Sequence, residues 1–316
     1  MLCFDSLPAR RWWLAAAGVL LLAACSRSEP ALQGAATEPA AAVRRLADYL
    51  QQGDLAGFAR AAVPAEQHAA LAQAWAEGDS LWPLTGLPLD EHLPDLLATL
   101  AADNAQADLQ RVFKAQFEGQ AANLRQTAHS LGMFGAQYVS HQGDYSPLQR
   151  EHYRQLVLGL SRWASQAPLS DPALAQAGIA ALTAAAQASG LDGTAALQAA
   201  GMEPALQQLA PVQQALLDVL ASYGLDLRQS LAELQVGLLQ EDGDQALVQV
   251  QYPLAGETVS FQAQMRRVQG RWYMQQNLED AQKALAAAAN ARQQRQSEGN
   301  APAPAAAQDA QMASAP

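Results

Sequence analysis

Tyr138, His141, Asp144, Tyr145 and His152 gather around a glycine-bearing stretch between two helical segments. Imidazole nitrogens and phenol oxygens both donate and accept hydrogen bonds, and their rings stack on flat or apolar ligands. Tyr138, His141, Tyr145 and His152 are therefore the candidate ligand-binding residues, suited to a small molecule or a glycan. The competing reading is a helix-helix connection whose rings pack and whose polar groups meet water. Trp75 and Trp82, flanking Glu77-Gly78-Asp79-Ser80, pose the same choice between stacking on sugar rings and pinning a loop to the core. Catalytic and metal chemistry find less support. His68, His92, His129, His141 and His152 lack zincin or helix-face metal spacing, and there is no Gly-x-Ser-x-Gly elbow or phosphate-cradling glycine loop. No metal, cofactor or catalytic residue is expected. Asp90-Glu91 and Glu241-Asp242-Gly243-Asp244 lack the alternating oxygen ligands of a calcium loop and read as a helix start and a hairpin turn.

The remaining reactive group is the thiol of Cys25. Arg10 and Arg11 make a positive n-region, and the apolar run from Trp12 to Ala24 is 13 residues long. That is the length of a signal-peptide core and well short of the roughly 20 residues a membrane span needs. Leu22-Ala23-Ala24-Cys25 resembles the lipobox of bacterial lipoprotein precursors, position for position. The resemblance implies a diacylglyceryl group on Cys25, cleavage after Ala24, and acyl chains such as palmitate that hold the mature protein to membrane lipid. Two or more chains anchor firmly where one does not. Ser26 stands where lipoproteins retained at the inner membrane carry Asp, so the expected location is the cell envelope, at the outer membrane facing the periplasm. Arg10-Arg11-Trp12-Trp13-Leu14 also loosely resembles a twin-arginine export signal.

Cleavage would remove Cys3 and acylation would occupy Cys25, leaving no disulfide in a compartment that permits one. The net charge of −11 becomes slightly more negative, because residues 1–24 carry two arginines and one aspartate. Such a chain repels nucleic acid, and none is expected as a partner.

The elements that must position these groups are mostly helical. Pro39 opens a helix with Val43, Leu46, Ala47 and Leu50 at helical spacing, closed by Gly53. Asp54 caps a second helix that Pro64 stops, and residues 67–77 form a third. Leu93, Leu96, Leu97 and Leu100 line another, and residues 106–131 make one or two more with Val112, Phe113 and Phe117 on the buried side. Ser146-Pro147 and Asp171-Pro172 are cap-and-proline starts. The first leads into an amphipathic helix carrying Tyr153, Leu156, Val157, Leu160, Trp163 and Ala164 on one face. Residues 203–222 read as a helical pair, giving about eight to ten helices over 40–230.

The period then changes to two. Ala246, Val248, Val250 and Tyr252, then Val259, Phe261, Ala263 and Met265, alternate with polar residues. Spans 232–240, 245–252, 257–268 and 271–276 form a four-stranded antiparallel meander whose apolar face helices must cover. Arg267-Val268-Gln269-Gly270-Arg271-Trp272-Tyr273 resembles the last hairpin of NTF2-like domains, which implies a curved sheet with a pocket beneath its helices. Residues 278–296 are helical by propensity, the early part on the sheet and the rest projecting. The Ala/Pro/Gln tail is too poor in apolar surface to order itself.

The expected organisation is a signal peptide (1–24), a flexible tether (25–39), an all-helical region (40–230), a meander plus helix packed on it (231–296) and a disordered tail (297–316). The fold class is mainly α, α+β overall. Three functions fit: an envelope-anchored binding or scaffold lipoprotein with a protein partner, a small-ligand binder with a pocket between sheet and helices, and a hydrolase with an unrecognised site.

Overall fold

A computed structural model describes residues 36–86, 92–142 and 145–299. Cys25 and the expected signal segment, most of the expected tether, Asp90-Glu91, Asp144 and residues 300–316 lie outside the described residues. Residues 297–299, expected in the disordered tail, instead continue the C-terminal helix, where the Ser297 hydroxyl donates to the Gln294 carbonyl.

Ala36 falls within the expected tether yet joins the sheet, its carbonyl accepting a hydrogen bond from the Trp272 N–H at 2.9 Å. Helices α1 (Pro39–Gln52), α2 (Leu55–Ala62) and α3 (Ala65–Ala76) follow. Gly53 closes α1 at φ 76°, a left-handed conformation that a Cβ would strain. The Asp54 carboxylate caps α2 by accepting from the Gly57 N–H at 2.7 Å. Helices α4 (Leu93–Ala101), α5 (Ala105–Gln116), α6 (Ala121–His141) and α7 (Pro147–Gln166) come next. Ser146 starts α7 with a reciprocal capping box to Gln149. Then come α8 (Pro172–Ser189), α9 (Thr194–Ala200), α10 (Met202–Ser222) and α11 (Leu227–Ala232), which make eleven α-helices before the sheet among the described residues.

The expected pair over 203–222 is one helix running through Pro211. Leu206, Leu209 and Leu217 are buried on both sides of the proline, and that shared packing holds the axis continuous. The expected burial of Val112, Phe113 and Phe117 is also corrected: Val112 and Phe117 are exposed and Phe113 half-buried. Helix α5 makes its substantial contacts with α4 and α8, and Val112, Phe113 and Phe117 line an open apolar groove. Leu96 is exposed on α4.

Strands β1 (Gln235–Asp242), β2 (Gln245–Leu254), β3 (Glu257–Val268) and β4 (Arg271–Met274) form an antiparallel meander in chain order. Residue 232 ends α11, and residues 275–276 open α12 (Gln275–Gly299) rather than prolonging β4. Ala255-Gly256 and Gln269-Gly270 have positive φ at both positions, the two-residue turn that suits the twist of the flanking strands. The alternating apolar residues share one face. Ala42 and Val43 of α1 cover it around Val248, Val250, Met265 and Trp272, and Leu156 and Trp163 of α7 cover Leu254 and Val259 near the β2–β3 turn.

The largest core joins α2, α3, α9 and α10 to Tyr273 of β4 and to Leu278 and Ala281 of α12. The later half of α12 does not project as expected. Ala288 is buried, and Arg292 and Arg295 pair with Glu77 and Asp79 at the end of α3, Arg295 through two bonds of 2.5 and 2.6 Å. The fold is therefore mainly helical, with a four-stranded antiparallel sheet and a C-terminal helix clamped across the first helices.

Candidate functional site

The α7 cap, the end of β4 and the first turns of α12 meet in a cleft. A cavity of about 270 Å³ lies between Ser146, Gln149, His152 and Tyr153 of the α7 start, Phe261 to Gln264 of β3, and Met274 to Gln276. A second, of about 510 Å³, continues between Tyr145, Asp79, Asp280 and Lys283. Gln149, Tyr153 and Gln276 line both.

A directed chain of hydrogen bonds crosses the shared floor. The Ser146 N–H donates to Gln149 Oε1 at 2.8 Å, Gln149 Nε2 donates to Gln276 Oε1, and Gln276 Nε2 donates to the Asp280 carboxylate at 2.8 and 3.0 Å. Every donor points toward Asp280, so the chain polarises along its length and fixes three side chains at once. Above it, Tyr145 meets Tyr153 edge to face at 5.2 Å. Burial, with Asp280 and Tyr145 beside it, raises the Tyr153 phenol above its ordinary range, so it stays a neutral donor.

His152 is held differently. Its ring stacks on Phe261 at 3.9 Å and 12°, and its Nε2 lies 3.1 Å from the Tyr252 hydroxyl. Burial lowers its pKa to about 4 and raises that of Tyr252 to about 12. Both are neutral at pH 7, which suits a packed wall better than an acid-base pair poised near neutrality.

The structure thus brings Tyr145 and His152 to the cleft, one to each cavity, joined through Tyr153. Tyr138 and His141 line neither; they sit exposed on α6, where the His141 ring meets the Gln137 carbonyl of its own helix. Trp75 and Trp82 are buried, and Trp75 Nε1 donates to the Leu197 carbonyl at 2.8 Å, so these rings pin the loop after α3 to the core. Gln149 and Gln276 were missed in the sequence. The Ser146 cap signal points to the first, while the second requires knowing that β4 stops at Met274.

A second concavity is apolar. A groove of about 420 Å³ runs between α5, α7, α8 and α10, lined by residues such as Val112, Phe113, Trp163, Ile179, Leu182 and Val219. Next to it in sequence, α6 contacts α7 alone among the elements with substantial contact, through Gly132 and Gly135. Its other side exposes Leu131 at 63% and Phe134 at 68%.

Among the described residues no group of three or more His, Cys, Asp or Glu side chains could hold a metal, and no helix is long and apolar enough to cross a membrane. Comparison with protein-family models, curated proteins and solved structures returns no match.

Proposed function

We propose that this chain is an envelope lipoprotein, held to membrane lipid by acylated Cys25, that binds a neutral hydrogen-bonding ligand in the cleft between α7, the sheet and α12. The observation that carries the reading is the convergence of Gln149, Tyr153 and Gln276 on two adjoining cavities, of about 270 and 510 Å³, which taken together have the volume of an ordinary ligand site. The amides are pre-positioned by the chain ending on Asp280, so little side-chain ordering is left to oppose binding. Neutral His152 and Tyr153 favour an uncharged group in the smaller cavity, where the charged lining residue, Glu279, is already bonded to Gln275. A panel of neutral amides, peptides and sugars, read by thermal shift of the full chain, should contain binders that protect residues 146–153 and 275–280 from hydrogen exchange. Tyr153→Ala should abolish the shift. Binders indifferent to Tyr153→Ala would refute the cleft as the site. For the anchor, Cys25→Ala should move the protein out of the membrane fraction, and unchanged fractionation would sink that part.

The exposed Leu131 and Phe134 favour a second reading, a scaffold that docks an apolar helix of an envelope protein along the exposed side of α6. Helix α6 carries no carboxylate in a chain of net charge −11, so nothing on it repels an acidic neighbour.

A further inference from the structure

Strand β3 is paired on its outer edge over only part of its length. The β3–β4 register runs from Val268 opposite Arg271 to Met265 opposite Met274, after which the chain turns into α12. From residue 257 to residue 264 no strand lies beside this edge among the described residues. The two-residue turn at Gln269-Gly270 makes Val268 and Arg271 a hydrogen-bonded pair, so alternate residues back along β3 direct their N–H and C=O outward.

Ser260 belongs to this outward set, and it is satisfied by a side chain. Gln155 of α7 accepts from the Ser260 N–H at 2.8 Å and donates to the Ser260 carbonyl at 3.1 Å, the two bonds that a neighbouring strand residue would make. Gln262 is the next outward residue. It lines the smaller cavity with Phe261, Ala263 and Gln264, on the edge to which the register directs its N–H and C=O.

We infer that the ligand of the cleft is an extended peptide segment that adds a short strand to β3 at Gln262, between the start of α7 and the first turn of α12. The inference rests on the cleft being a binding site. An outward N–H and C=O on one residue, about 7 Å beyond a position already bonded to an amide, match the repeat of a peptide backbone and not the hydroxyl spacing of a sugar. Glu279 is the one charged residue lining this cavity, and Gln275 donates to it at 2.8 Å, so the segment is neutral along its paired residues. Long open edges invite aggregation, and here α7 packs against β3, with Gln155 bonded to Ser260 and His152 stacked on Phe261, which blocks a second sheet from pairing along it.

The test uses the full chain and a library of neutral hexapeptides capped at both ends, with maltotriose as a neutral polyol. The best peptide should slow amide exchange over residues 261–264. N-methylation at alternate peptide positions should weaken it about tenfold, roughly the net value of one main-chain hydrogen bond, while the intervening positions tolerate it. Gln262→Pro should cost a similar factor, because that N–H points away from β2 and proline is tolerated at such an edge. Peptides that protect the cleft but ignore N-methylation, or maltotriose binding there when peptides do not, overturn the strand pairing and leave the binding site standing. If no probe protects residues 146–153 or 275–280, both fall.

Discussion

Replacing His152 with phenylalanine should change how the protein responds to acid more than how stable it is at neutrality. The imidazole is stacked on Phe261 and bonded to the Tyr252 hydroxyl, and burial lowers its pKa from 6.5 to about 4. An unfolded chain takes up the proton below pH 6.5, whereas the folded chain takes it up only near pH 4. The folded state therefore has its full stability above pH 6.5 and loses this part of it as pH falls toward 4. With those two values the loss is about 2 kcal/mol between pH 7 and pH 5 and approaches about 3 kcal/mol below pH 4. Phenylalanine keeps the stack and removes the titration. It also strips the Tyr252 hydroxyl of its partner, at a cost of about 1 kcal/mol. The variant should thus be the less stable protein at pH 7 and the more stable one at pH 5. Urea unfolding followed by tryptophan fluorescence at pH 5, 6 and 7 measures this directly. His68 is also lowered, chiefly by burial, but it is present in both proteins and cancels in the difference. Two curves that fall in parallel, with a constant gap, would refute the burial argument.

Gly132→Val should part α6 from α7, because even a Cβ there falls inside contact distance of the Ser161 side chain; hydrogen exchange should rise along α6 and stability should fall by about 1–3 kcal/mol. Arg295→Ala should free the end of α12 from Asp79, seen as faster exchange over residues 288–299 with the midpoint of global unfolding little moved. Trp75→Phe leaves the Leu197 carbonyl buried without its donor and should cost about 1–3 kcal/mol in urea unfolding. Phe134→Asp should leave stability within about 0.5 kcal/mol, as exposed substitutions do, yet abolish any envelope-protein crosslink made through α6.

Much of the architecture was legible because the signals were local. Ser146-Pro147 and Asp171-Pro172 mark helix starts through groups within three residues, and both caps form as the residue types dictate. The two-residue period of β2 and β3 placed Ala246, Val248, Val250, Ala263 and Met265 on the covered face, while Leu247 falls on the other. Burial was less legible, since Val112 and Phe117 carry a helical apolar pattern that says which side is greasy but not whether a partner exists. The end of α12 misled for the opposite reason. Its apolar stripe is thin, and what holds it is charge across 216 positions of sequence, between Arg295 and Asp79.

The candidate site divides along the same line. Tyr145 and His152 were found because aromatic and imidazole side chains advertise themselves by type, and Tyr138 and His141 were added to them only by nearness in sequence. Helix α6 ends at His141 and α7 starts at Pro147, so the break in direction between them separates the two pairs. Gln149, Gln155, Gln262 and Gln276 drew no notice, because glutamine on a helix or strand is ordinarily a solvated residue. Their role comes from where β4 stops: had the strand continued past Met274, it would have satisfied Gln262 and closed the smaller cavity. Gln155 already stands in for the missing strand at Ser260, so the unpaired stretch is bounded on one side by a side-chain amide and on the other by a helix start. An edge left open over so short a span, and fenced at both ends, has the dimensions of a ligand and not of a second sheet.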